Sequence, residues 1–140
     1  MTFFNSLYFA LAAAAGALSR YVLTSLLAHI FTQYVKHKQR VNSSYIPYVF
    51  PWGLCTVNLL GCIGFGFFIS MVNKCIIIDR EVQQIILVAF LGSFTTFSSF
   101  ILELDILLKN KKYSYIALYI FVQVFLGTLA IYLSIRYFIV

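Results

Sequence analysis

Four long apolar segments, separated by short clusters of charged residues, restrict the fold of this chain more than any other feature. A bilayer core is about 30 Å thick, and a helix needs roughly 20 apolar residues to cross it. The segments reach this length at residues 7–34, 51–72, 82–108 and 113–138. Hydrophobic residues make up 62% of the chain, which is too apolar for a soluble domain. The sequence therefore predicts an all-α membrane protein, with residues 1–140 forming one domain of four transmembrane helices.

The positive charges lie at the ends of these segments rather than on one basic face, which argues against a nucleic-acid partner. Six of them lie in the first and third loops: Lys36, Lys38, Arg40, Lys109, Lys111 and Lys112. The second loop has only Lys74 and Arg80. Loops one and three share a side in a four-helix topology, and the positive-inside rule assigns that side to the cytoplasm.

Arg20 lies midway along the first apolar segment. Even the mildest scale puts a central arginine in a membrane helix at about 2.5 to 3.5 kcal/mol. We therefore expect Arg20 to face protein, water or an anion. The alternative is that its long side chain reaches an interface.

The second and fourth segments each carry a polar feature with two interpretations. Asn58 has amide donors and an acceptor, and Gly61 follows on the same helical face, so the pair fits either helix packing or a pore. Tyr119, Gln123 and Gly127 recur at intervals of four, drawing a weakly polar stripe that either lines a path or packs.

The third segment contains the stretch LGSFTTFSSF, residues 91–100, in which hydroxyls and phenylalanines alternate behind a glycine. Gly92 and the following hydroxyl residues predict a local break in the helix, whose freed carbonyls could coordinate a small cation. Thr96, Phe97 and Phe100 share one helical face. The positive edges of the rings could receive an anion, although phenylalanine pairs more often fill a core.

Three stretches in chain order, GALSRY, FPWGLCTVNLLGCIGFG and FLGSFTTFSSF, resemble the Fluc (CrcB-type) family of small fluoride channels. The third is the most specific of them. The resemblance implies a fluoride-selective channel that exports fluoride passively across the plasma (inner) membrane and relieves fluoride toxicity. It also implies an antiparallel, dual-topology dimer of four-helix subunits in the lipid bilayer, with two fluoride pathways and a structural sodium ion at the dimer interface.

The resemblance also assigns roles to individual residues. Those that match the fluoride pathway are Asn58, Phe97, Phe100, Thr96, Gln123 and Arg20. Gly92 and Thr95 match the positions whose backbone carbonyls hold sodium. Gln123 stands where the family has mainly hydroxyl residues, which leaves the contribution of the fourth helix open.

The uneven loop charges bear on assembly, because opposite insertion of a single sequence calls for nearly balanced loops. We expect a homodimer, with a heterodimer containing a second family subunit as the alternative. Two other functions are a structural membrane subunit and a proton-coupled small multidrug transporter. Proton coupling needs an intramembrane carboxylate, and Glu103 and Asp105 lie only near the end of the third segment. Catalysis is not expected, because His29 and His37 are not placed beside a mid-membrane nucleophile.

Overall fold

The computed structural model describes residues 3–39, 50–74 and 78–139, and within these ranges all regular structure is helical. Four helical spans are long enough and apolar enough to cross a membrane: Asn5–Tyr34, Trp52–Asn73, Arg80–Lys109 and Tyr113–Tyr137. They are called the first to fourth spans below. The predicted all-helical fold with four membrane-crossing helices is confirmed. Arg40 lies outside the described residues, as do the side chains of Lys36 and Lys38.

The first two spans are single helices, and the last two are composite. The first span belongs to α1 (Phe3–Gln39), and the second is α2 (Trp52–Asn73). The third span consists of α3 (Arg80–Gln84), a π-helical segment (Ile85–Leu91), α4 (Gly92–Phe94) and α5 (Phe97–Lys109). The fourth consists of α6 (Tyr113–Ile120), a second π-helical segment (Phe121–Leu126) and α7 (Gly127–Ile139). π-Helical turns are rare in proteins, and those that occur often lie at functional sites. The middle parts of the third and fourth spans are therefore candidate positions for a functional site.

The helices begin and end where local chemistry favours it. Pro51 immediately precedes α2, a position where its missing N–H costs nothing. Asp79 caps α3, with its side-chain Oδ1 accepting from the Glu81 N–H at 3.5 Å. At the other end of the third span, Lys111 has a positive φ of 54° in the turn that follows α5. This turn reverses the chain into the fourth span.

Small residues permit the closest helix contacts. A Cβ built on Gly66 of α2 would lie 2.7 Å from both the Ile131 carbonyl oxygen and the Ser134 Cβ of α7. The absence of that side chain lets the two backbones approach each other, which is how membrane helices commonly associate. The second and fourth spans therefore pack as a close pair, and the first span packs against the second and third.

The buried cluster of this single chain is small, and it is rich in aromatic residues. It comprises Phe50, Cys55, Phe100, Leu107, Tyr119 and Val122. The Phe50 ring packs edge-on against Tyr119, with centroids 5.6 Å apart. Large apolar side chains on all four spans point outward instead, as expected for helices that face lipid or another subunit.

Candidate functional site

A cavity of about 360 Å³ lies between the second, third and fourth spans. Seven of the eight residues to which the family resemblance assigns a role line it: Asn58, Gly92, Thr95, Thr96, Phe97, Phe100 and Gln123. The fold thus brings together, in one place, side chains that are up to 65 positions apart in the chain, from Asn58 to Gln123. Arg20 does not line the cavity.

The backbone of the third span is extended at two residues beside this cavity. Thr95 has φ −88° and ψ 149°, and Thr96 has φ −149° and ψ 130°. Gly92, near which the break was predicted, has helical angles of φ −64° and ψ −33°. We call Thr95 and Thr96 the extended pair.

The last helical turn before the extended pair is closed by Thr95 itself. Both its backbone N–H and its hydroxyl donate to the Leu91 carbonyl oxygen, at 2.9 and 3.0 Å. A threonine hydroxyl that bonds back to the preceding turn satisfies polar groups at a helix end. The turn therefore continues through Gly92 and ends at Thr95.

Asn58 joins α2 to the extended pair. Its Oδ1 accepts from the Thr96 N–H at 3.2 Å, and its side chain is 9% exposed. In a continuous helix the Thr96 N–H would donate to the Gly92 carbonyl four residues earlier. Because Asn58 Oδ1 accepts this hydrogen bond instead, the orientation of the Asn58 amide group is fixed. The Nδ2 donor of Asn58 remains for other partners.

Phe97 and Phe100 sit in the first turns of α5, in different environments. Their ring centroids are 5.7 Å apart with planes tilted by 39°. Phe97 is 73% exposed, whereas Phe100 is 8% exposed and packs on Tyr119 at 5.2 Å. Phe100 is therefore held by the buried cluster, while Phe97 lies on the surface of the single chain.

Gln123 brings a side-chain amide from the second π-helical segment to the cavity. Its Nε2 is buried and makes no well-formed hydrogen bond within the part of the chain that the structure describes; the buried Tyr119 hydroxyl, one helical turn earlier, is a neighbouring group that it can bind. A buried amide donor without a partner costs free energy unless another group binds it. The position is thus suited to a hydrogen-bond acceptor inside the cavity.

Arg20 approaches the third span from the first span, away from the cavity lining. Its Nη1 donates to the Ser99 Oγ at 3.2 Å, and its Nε is buried without a partner among the described residues. Because Ser99 follows the extended pair by three residues, the cation lies near the start of α5. The sequence did not indicate Ser99 as the partner.

The cavity also has lining residues that the sequence reading missed. Among these are Cys62 and Phe65 of α2 and Leu87 and Leu91 of the third span. Cys62 lies one helical turn after Asn58, so the face marked by Asn58 and Gly61 was the available signal. Among the described residues, no group of three or more His, Cys, Asp or Glu side chains could hold a metal ion.

Comparison with known proteins gives a consistent family. A family model described as CrcB-like protein, Camphor Resistance (CrcB), matches residues 7–135. A relative from Nitrosococcus oceani, named fluoride-specific ion channel FluC, is 33% identical over 91% of this chain and 90% of its own length. Relatives with the same name from Desulforapulum autotrophicum and Solidesulfovibrio magneticus are 36% and 33% identical, covering 77% and 89% of this chain and 74% and 88% of their own lengths. The chain therefore belongs to the CrcB family.

Proposed function

We propose that this protein is a fluoride-selective channel that lets fluoride leave the cell passively and so relieves fluoride toxicity. Its family and the names of its relatives support this function. The observation in the structure that carries the proposal is that Asn58, Phe97, Phe100 and Gln123 line one cavity beside the start of α5. The protein is a multi-pass membrane protein, and we place it in the plasma (inner) membrane.

The donors around the cavity suit a small anion stripped of part of its water. Asn58 uses Oδ1 for the Thr96 N–H, so the group it can offer an anion is its Nδ2 donor. Gln123 adds the Nε2 donor from the fourth span. The start of α5 contributes the partial positive charge of a helix N-terminus. Together these groups replace water molecules that fluoride leaves behind.

The two phenylalanines supply a weaker interaction that, like the donors above, favours an anion. The edge of an aromatic ring carries partial positive charge and its face partial negative charge. We propose that Phe97 and Phe100 present ring edges to fluoride along the path, and that the Thr96 hydroxyl adds a donor beside them. The Thr96 hydroxyl lies 2.9 Å from the Ser98 hydroxyl, so the two can exchange the donor role as an anion passes.

Arg20 contributes charge rather than direct lining. Its guanidinium is bonded to Ser99 near the start of α5. A partly buried cation at this depth raises the local concentration of anions and repels cations. We propose that Arg20 favours entry of fluoride into the pathway.

We also propose a structural sodium ion held by the backbone carbonyls of Gly92 and Thr95. The geometry at the extended pair supports a fit, because the Thr96 N–H, the helical partner of the Gly92 carbonyl, is bonded to Asn58 instead. The extended ψ of Thr95 turns its own carbonyl away from the helical direction. Carbonyl oxygens freed in this way suit a small hard cation.

Such a site needs a second copy of the extended pair, so we propose an antiparallel, dual-topology dimer. The 73% exposure of Phe97 in the single chain supports a partner on that face. We favour a homodimer. A heterodimer with a second family subunit is the alternative, because the loop charges are six against two.

The rival functions fit the cavity less well. A proton-coupled multidrug transporter needs a carboxylate in its substrate path, and none of the described residues that line this cavity carries one. Asp105 is instead bonded to Lys109 at 2.5 Å. A channel performs no covalent chemistry, and the protein is not an enzyme.

A vesicle experiment separates these functions. Fluoride enters cells as neutral hydrofluoric acid and is trapped as the anion at higher internal pH, so a passive channel suffices for export. Purified protein in fluoride-loaded vesicles should release fluoride with equal pH on both sides. Release that requires a proton gradient would indicate a transporter. Accumulation of ethidium under a proton gradient, without fluoride release, would indicate the multidrug function, and no transport at all would leave a structural subunit.

A further inference from the structure

Gly61 of α2 lies against the extended pair. A Cβ built on Gly61 would overlap the Thr95 methyl carbon, Cγ2, and would lie 3.3 Å from Cδ1 of the Phe94 ring. The Thr95 methyl therefore occupies space that any side chain at position 61 would need. We call this space the Gly61 notch.

The notch is one contact that α2 makes with the extended pair. Another is the hydrogen bond from the Thr96 N–H to Asn58 Oδ1. Asn58 and Gly61 are three residues apart and thus share a helical face. One face of α2 consequently holds both extended residues, Thr95 through its methyl group and Thr96 through its backbone.

The first span supports the same segment from a second helix. A Cβ on Gly16 would overlap the Phe90 carbonyl oxygen and would lie 3.2 Å from the Phe94 backbone nitrogen. This contact is between backbones, one turn before the extended pair. The third span is therefore fixed by α1 through its backbone and by α2 through the Thr95 side chain.

We propose that Gly61 is a positioning residue for ion conduction: by accommodating the Thr95 methyl, it fixes the extended pair where Asn58 can hold Thr96. This inference rests on the proposed fluoride conduction. A methyl group at position 61 forces Thr95 to move. The Thr96 N–H then moves relative to Asn58, and the Asn58 amide loses its fixed orientation toward the cavity. The Thr95 carbonyl, the proposed sodium ligand, moves with them.

The steric contact allows a test by paired substitution. Gly61→Ala should lower fluoride efflux by about tenfold or more, because displacing pathway groups by even about 1 Å has large effects on rate. Thr95→Ser removes Cγ2 and keeps the hydroxyl that bonds to Leu91, so its own efflux is the reference with which the double variant is compared. In the double variant, the methyl group added at position 61 occupies the space that Cγ2 of Thr95 fills in the wild type. The efflux of the double variant should return to within about threefold of that of the Thr95→Ser variant.

Two matched variants show whether the rescue is specific. Gly64→Ala adds a methyl on the same helix, where the new Cβ would be in ordinary contact with Leu91 Cδ2 at 3.5 Å, so efflux should be unchanged. Gly16→Ala collides with backbone atoms, which Thr95→Ser cannot relieve. Rescue of Gly16→Ala by Thr95→Ser would therefore overturn the proposal.

A sodium titration separates displacement of Thr95 from simple narrowing of the cavity. Displacement predicts that the sodium concentration for half-maximal efflux rises in Gly61→Ala and returns in the double variant. A lower maximal rate with unchanged sodium dependence, and without rescue in the double variant, would overturn the positioning role. If Gly61→Ala cannot be purified, the double variant decides: recovered folding and efflux support the proposal, and failure to recover contradicts it.

The outcomes also distinguish a failure of this inference from a failure of the proposed function. Absence of efflux from the wild type would refute fluoride conduction itself. Normal efflux from both the wild type and Gly61→Ala would refute only the role of Gly61.

Discussion

Asn58→Asp is the substitution that separates the structural role of Asn58 from its proposed role toward fluoride. The Asn58 Oδ1 accepts from the Thr96 N–H at 3.2 Å. A carboxylate keeps an oxygen at this position and can accept the same hydrogen bond. It replaces the Nδ2 donor, however, with a second oxygen that carries negative charge. The extended pair should stay in place, while the group that faces the anion path changes from a partly positive donor to a negatively charged oxygen.

The expected size of the effect follows from Coulomb's law. A carboxylate about 4 Å from fluoride, at an effective dielectric constant of about 20, repels it by about 4 kcal/mol. Since about 1.4 kcal/mol corresponds to a tenfold change in rate, efflux should fall by roughly a thousandfold. Asn58→Leu differs, because it removes the acceptor and leaves the Thr96 N–H unpaired. It should lower the free energy of unfolding by about 1 to 3 kcal/mol in addition to abolishing efflux.

The assay is fluoride efflux from vesicles at alkaline pH, which keeps a buried carboxyl ionised, together with thermal unfolding in detergent. Ser70→Ala is the matched control, since Ser70 is another buried polar residue of α2 but does not line the cavity. The control should conduct normally. Efflux within about tenfold of the wild type from a folded Asn58→Asp protein would refute the assignment of Asn58 to the path, because the expected repulsion is far larger.

Three further predictions concern the aromatic pair, the buried cation and assembly. Phe97→Ile and Phe100→Ile should both lose most fluoride efflux, and equal efflux from the two variants and the wild type would refute the role of the rings. Only Phe100→Ile should lower the free energy of unfolding, by about 0.5 to 1.5 kcal/mol or more, because its ring packs on Tyr119. Arg20→Gln should slow efflux most at low ionic strength, since salt screens the attraction that the guanidinium provides, and a deficit independent of salt would contradict it. Single cysteines in the first loop, on a background without the native cysteines, should react from both sides of the membrane when the chain is expressed alone; reaction from one side, with activity only after co-expression of a second subunit, would replace the homodimer with a heterodimer.

The four helices could be predicted from the sequence because membrane solvation acts on each segment separately. A segment such as residues 51–72 must satisfy its backbone within itself, so its length and composition suffice to predict a helix. The second span at Trp52–Asn73 is the result. Because short loops join consecutive spans, neighbouring spans are expected to run in opposite directions, and this expectation needs no tertiary information.

The details of the site depend on how the spans pack, which local sequence does not specify. Gly92 permits a break without requiring one, and the Thr95 hydroxyl closes the turn on Leu91, so the extended residues come later. The bond between Asn58 and Thr96 depends on the depth of α2 relative to the third span. That depth is set by close contacts such as the Gly61 notch. The Ser99 partner of Arg20 depends in the same way on the packing of the first span.

The most direct test of fluoride conduction is the reversal potential of the purified protein in a planar bilayer with a tenfold fluoride gradient, in which a large impermeant anion replaces fluoride on the dilute side and chloride and sodium are equal on both sides. A fluoride-selective path predicts a reversal potential of about 59 mV, with the sign for a monovalent anion. Conduction should persist without any pH difference. A reversal potential near zero with measurable current would mean that the path carries chloride or cations, and it would contradict fluoride selectivity.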